Sequence, residues 1–319
     1  MRRRIFLALT GGAAAAALAP AFAQQARTAR IGVLLLGGAE PFLTHFREGL
    51  AALGHAEGRT VEIVLRAADS DTAKLPALAA EIAAAKPDII VASETPAVQA
   101  AKNAAPATPI VMAASGDPLG TGLVASLARP GGLVTGLSAQ AAELAGKSLE
   151  LMKELKPGLK RAAVLALERN PLTKPFFAHA ERAATALGLE LATLTVPNAA
   201  ALGDAFRKLA DANSEALVVQ PSLPLKPVAE LCLARRLPAI SITRAFADAG
   251  GLMSYAASLV ERYRGAADYV DKILKGAKPA DLPVGQPTKF ELVINMRTAK
   301  AIGASVPDSL MNRANDFIE

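Results

Sequence analysis

Short runs of β-branched and leucine residues alternate with longer alanine-, leucine- and charge-bearing segments of helical period, from near residue 30 almost to the end of the chain. This alternation restricts the fold more than any other feature. Strands linked through helices pair in parallel, and the helices must cover both faces of the sheet. The spacing predicts strands at 31–36, 61–66, 88–93 and 110–113, with helices between them. The helix at 42–53 places Phe42, Phe46, Leu50 and Leu53 on one face and stops at Gly54, a residue suited to ending a helix.

Pro130-Gly131-Gly132 interrupts the series, and 134–137 reads as a crossing into a second unit. The rhythm then restarts. Helices are expected at 141–155, 175–187, 200–212 and 228–236, and strands at 161–167, 189–196, 216–220 and 239–242. After 252–255 comes an amphipathic helix at 259–274, then a proline-rich link at 279–287, a strand at 290–294 and a terminal helical region. Two βα sets in series predict two doubly wound, Rossmann-like lobes facing each other. A chain that passes between them repeatedly makes a multi-strand hinge. The expected division is 27–137 with 256–280 for lobe one, and 138–255 with 281–319 for lobe two.

The first 23 residues read as an export signal peptide. Arg2, Arg3 and Arg4 precede an apolar run at 5–18, and Ala21-Phe22-Ala23 forms a small-x-small cleavage site. The run falls short of the ~20 apolar residues of a spanning helix, so no membrane insertion is expected after cleavage. Arg3-Arg4 before Ile5-Phe6-Leu7 also fits a twin-arginine (Tat) signal, and Sec export is the alternative. The single cysteine, Cys232, has no partner for a disulfide and does not follow the signal as a lipid anchor would. These features predict a monomer in the periplasm.

Net charge falls from +6 to +3 once the three signal arginines are set aside, and no basic block remains. Nucleic acid is therefore not an expected partner. No G-x-G-x-x-G follows the first strand, and no G-x-S-x-G is present. His45, His55 and His179 show no metal-ligand spacing. No enzyme activity, no metal and no cofactor is expected.

Particular residues carry a resemblance. Asp117-Pro118 precedes Gly122-Leu123-Val124-Ala125-Ser126-Leu127-Ala128-Arg129-Pro130-Gly131-Gly132, with Thr135-Gly136 beyond. A second block runs over 272–284 and continues as Gln286-Pro287-Thr288-Lys289-Phe290. A third is Phe46-Arg47-Glu48-Gly49-Leu50, with Leu53-Gly54 and Glu57-Gly58 after it. Together these resemble the ABC-transporter substrate-binding family typified by tryptophan- and tyrosine-binding proteins. Leu133 stands where that pattern has asparagine, and Gly37-Gly38-Ala39-Glu40 lacks the usual Ser/Pro character, so ligand identity is not carried over. The resemblance implies a periplasmic-binding-protein type I-like fold, a small-molecule ligand held between the lobes, and an ABC permease as partner. It suggests an amino acid, aromatic or branched. With no tryptophan and three tyrosines in the chain, the broader expectation is a small carboxylate-bearing solute. A periplasmic sensing module serving a membrane receptor kinase is the alternative.

Ligands of doubly wound lobes bind at the carboxyl ends of strands. There the loop Ser93-Glu94-Thr95-Pro96-Ala97 offers hydroxyls and free N–H groups to a carboxylate, and the resemblance points to it too. Its plainer role is capping by Thr95 with Pro96 in the first turn. Ser115 and Asp117 can serve a carboxylate and an ammonium group, or Asp117 can cap a helix beginning at Pro118. From lobe two, Asn170, Gln220 and Arg244 fall at the expected cleft edge. Arg244 is either an anion clamp or a solvated loop residue. Tyr255 is either an aromatic wall or hinge packing, and Glu40 is a further candidate in the first loop.

Overall fold

A computed structural model describes residues 28–319. The expected signal peptide at 1–23 lies outside the described residues. The first lobe is built on β1 (Ala29–Leu35), β2 (Val61–Ala67), β3 (Ile89–Ser93), β4 (Ile110–Ser115) and β5 (Val134–Ser138). All pair in parallel, in the order β2-β1-β3-β4-β5. Both faces are covered, so the central strands are apolar at successive positions rather than at alternate ones. Ile31, Val33 and Leu35 pack toward α1 (Phe42–Ala52). Leu34, Ile90 and Met112 pack toward α2 (Leu75–Ala84) and α3 (Thr95–Ala104).

The second lobe carries β6 (Arg161–Leu167), β7 (Glu190–Val196), β8 (Leu217–Val219), β9 (Ala239–Ser241), β10 (Met253–Ala257), β11 (Phe290–Asn295) and β12 (Asp316–Ile318). Their order is β12-β11-β10-β9-β8-β6-β7, with only the β10–β11 pairing antiparallel. On one face α4 (Ala141–Leu155) and α5 (Thr173–Leu187) bury Leu149, Met152 and Phe176 against Val164, Val218 and Ile240. On the other, α6 (Leu202–Asp211), α7 (Leu225–Ala234) and α8 (Arg244–Asp248) bury Phe206, Val228 and Phe246 against Leu165 and Val219. The long helix α9 (Leu259–Leu274) then returns to the first lobe, where Ala266, Ala267 and Val270 lie on α1 and its strands. α10 (Met296–Ile302) and α11 (Asp308–Met311) finish the second lobe.

The chain crosses between sheets from β5 to α4, from β10 to α9, and from α9 back to β11. The crossings are tied together. Ser138 N–H donates to the Gly285 carbonyl at 2.8 Å, and Gly285 N–H donates to that of Gly136 at 2.9 Å. Gln140 Nε2 donates to Gln286 Oε1, and Ser258 N–H donates to the Lys289 carbonyl at 3.2 Å. Among the described residues, no helix is long and apolar enough to cross a membrane.

Three local differences from the sequence reading have physical causes. Pro118 does not open a helix, because residues 118–122 form turns ending at Gly122, whose φ of +69° is left-handed. α5 and α7 begin earlier than expected, at Thr173 and Leu225. Pro175 and Pro227 sit inside the first helical turn, where a missing N–H breaks no bond. β12, only three residues long, was not expected; it gains its place by pairing with β11.

Candidate ligand-binding cleft

β3 ends at Ser93, and the chain must turn at once to start α3 at Thr95. Glu94 makes that turn with φ 70° and ψ 149°. This is a region populated almost only by glycine, and another residue there carries roughly 1–3 kcal/mol of strain. Glu94 N–H donates to the Ala114 carbonyl at 2.9 Å, which fixes the loop against the end of β4. The Glu94 carboxylate then points across to the second lobe, where Ser222 Oγ donates to its Oε2 at 2.8 Å.

Around this bridge is a small, partly open cavity of about 60 Å³. Ser93, Glu94, Thr95 and Gly116 form the first-lobe wall, and Leu172, Ser222, Ile242 and Thr243 the second-lobe wall. Leu259, Arg262 and Tyr263, from the first turn or so of α9, line it beside the interlobe crossings. The lobes meet tightly, since a Cβ on Gly116 would come within 2.5 Å of the Leu172 side chain. A larger groove of about 680 Å³ lies outside, between α2 and α3 of one lobe and the loop after β6 of the other.

Desolvation dominates the electrostatics of the cavity. It pushes the Glu94 carboxyl up to about 7, against the opposing effects of the Ser222 hydrogen bond and the Arg262 charge. Burial also lowers Arg262 below the ordinary guanidinium range and raises the Tyr263 phenol. Arg262 donates through Nε and Nη2 to the carbonyls of Ser258 and Ala257, at 3.4 and 3.2 Å. It has no ion-pair partner within 4.0 Å among the described residues. The Tyr263 ring stands edge-on to Phe42 with centroids 4.8 Å apart, so this wall is braced by the lobe-one core.

Of the residues singled out from sequence, Ser93 and Thr95 line the cavity. Ser115 lies directly behind, with its Oγ 3.4 Å from Thr95 Oγ1, which also accepts from Gly116 N–H at 3.0 Å. Pro96 and Asn170 face the outer groove. Asp117 folds back on its own turn, its Oδ1 accepting from Gly120 N–H at 2.8 Å. Gln220 is fully buried in bonds to Leu167 N–H, Asn170 Nδ2 and Thr173 Oγ1, at 3.0, 3.2 and 3.0 Å. Arg244 reaches away to Asp316 at 2.6 Å and Asp248 at 3.5 Å. Tyr255 stacks on Phe290 with centroids 5.7 Å apart. Glu40 is exposed and accepts from Thr44 N–H at 3.2 Å.

Sequence reasoning missed Ser222, Arg262 and Tyr263 as wall residues, and gave no separate role to Glu94 within its loop. A strand-end rule applied to β10 leads to the start of α9. What hides Arg262 and Tyr263 is that the helix following a lobe-two strand packs on lobe one. No cluster of three metal-ligating side chains occurs among the described residues.

The family model described as ABC transporter substrate binding protein matches residues 38–318. A tyrosine-binding protein of Clostridioides difficile (strain R20291) is 27% identical over 263 residues, covering 81% of this chain and 75% of that protein. A solved conserved domain protein of Vibrio cholerae superposes with a TM-score of 0.84 at 26% identity, covering 91% of this chain and 100% of the other. A Streptococcus pneumoniae ABC domain solved with L-Trp gives 0.80 at 29% identity, again with 91% and 100% coverage. The α/β fold of two mainly parallel sheets is that of these type I periplasmic-binding-protein-like neighbours.

Proposed function

The chain belongs to the ABC transporter substrate-binding protein family, and from that premise we propose that it is the periplasmic solute-binding component of an ABC importer. It captures a small carboxylate-bearing solute, an amino acid with an aromatic or branched side chain, by closing its lobes about the hinge. The observation that carries this reading is Arg262. A guanidinium with no carboxylate within ion-pair distance among the described residues lines a cavity whose other polar walls are the hydroxyls of Ser93, Thr95, Ser222 and Thr243 and the Glu94 carboxylate. That is a complementary setting for a ligand carboxylate. The tyrosine-binding relative and the tryptophan complex support the amino-acid assignment. The export signal read at residues 1–23 supports the periplasm.

Closure is part of the reading because of size. Sites for small molecules occupy about 300–1,000 Å³, and the cavity of about 60 Å³ has room for about two waters. Opening must therefore admit the solute, and the three tied crossings are the place for it to bend. The test is mass spectrometry of solute carried through mild purification, followed by X-ray scattering with and without that solute. A 1:1 complex, a smaller radius of gyration and a higher melting temperature are expected. No carried solute, no compaction and no thermal stabilisation across a broad metabolite panel would overturn the reading.

A further inference from the structure

We infer that Glu94 is the specificity-determining residue of the cleft, the acceptor for a ligand ammonium group, so that the site takes amine-bearing carboxylates and rejects the same skeleton without the amine. This rests on the proposed solute-binding role and adds to it the polar end the ligand must carry. Three observations converge on it. The backbone at Glu94 holds a conformation that glycine adopts freely and glutamate does not, so turn geometry alone does not call for a glutamate there. The strain is kept where its product is a carboxylate inside the interlobe cavity.

The partners of that carboxylate are incomplete. Oε2 accepts from Ser222, while Oε1 takes no hydrogen bond from the described residues, and the Arg262 charge acts on the carboxylate from beyond ion-pair distance. Arg262 shares the cavity wall, but two of its donors are turned to the carbonyls of Ala257 and Ser258. One half-satisfied carboxylate and one guanidinium without a close ion pair therefore face a common space. A zwitterion satisfies both, its ammonium on Glu94 and its carboxylate on Arg262. A plain carboxylic acid satisfies only the second and sets an anion beside Glu94, which like-charge repulsion penalises.

The experiment is calorimetry on wild type, Glu94→Gln and Glu94→Gly with the standard L-amino acids, each beside its des-amino carboxylic acid. Wild type is expected to prefer the best amino acid over its des-amino partner by at least about 30-fold. In Glu94→Gln, which keeps an acceptor for Ser222, that preference should shrink to a few-fold. Glu94→Gly relieves the backbone and guards against a folding artefact; it should lose the preference while melting no lower than wild type. Equal binding of both members of a pair by wild type, or a preference surviving in both variants, overturns the role of Glu94 and leaves the solute-binding reading standing. No binding of either class overturns both.

Discussion

At the carboxyl ends of β6 and β8, Asn170, Thr173 and Gln220 bond to one another and to the Leu167 backbone. At the end of β3 in the other lobe, Ser93, Glu94 and Thr95 line the cavity, and the Glu94 carboxylate is only half bonded within the chain. The two sets occupy the same topological position and differ in hydrogen-bond saturation. In the second lobe, polar strand-end groups fasten the loops, and its contribution to the cavity wall is a single bridging hydroxyl, Ser222, with apolar contacts and Thr243. In the first lobe, the same kind of position presents charge to the cleft. Position at a strand end therefore nominates a residue, and the count of its remaining donors and acceptors decides its role.

The largest break in this comparison comes from Gln220→Leu. It leaves Leu167 N–H, Asn170 Nδ2 and Thr173 Oγ1 each short of a buried partner. A loss of about 4 kcal/mol and a melting temperature lower by roughly 10 °C are expected by calorimetry, with solute affinity retained below the transition. Arg262→Gln should do the reverse, lowering solute affinity by about 100-fold in a titration while shifting the melting temperature little. Should Gln220→Leu abolish binding at full stability, the division of labour between the lobes is wrong.

Glu94 gives smaller effects of informative sign. Glu94→Gly removes backbone strain and a half-satisfied carboxylate, so denaturant unfolding should show about 1 kcal/mol of added stability. The wild-type Glu94 carboxyl is raised from the ordinary carboxylate range to about 7. Between those values the folded chain holds a proton that the unfolded chain has released, so stability falls as pH rises toward about 7. Glu94→Gln should flatten that part of the pH profile. Smallest of all is Arg244→Ala. Its pairs with Asp248 and Asp316 are solvent-exposed, and affinity should stay within about two-fold of wild type.

Much of the architecture was legible without coordinates. The strand–helix order follows from apolar periodicity, and α4 and α9 match their expected limits at 141–155 and 259–274. Such segments are set by local spacing of apolar side chains and, past the end of α9, by Gly276 with its left-handed φ of +97°. The site was legible only in part. Ser93 and Thr95 were reachable from the strand-end rule, and Glu94 lay within the nominated loop.

What the sequence by itself determined is most of the elements, the parallel pairing of the βα units and the loops eligible to meet at a cleft, because these depend on periodicities within a few residues. Which eligible side chains stay available was decided by tertiary structure alone. Gln220 is satisfied by groups brought from β6 and α5, and Arg262 and Tyr263 reach the cleft because α9 leaves one lobe and packs on the other. Hydrogen-bond saturation and burial are properties of neighbours distant in sequence, and no local pattern encodes them.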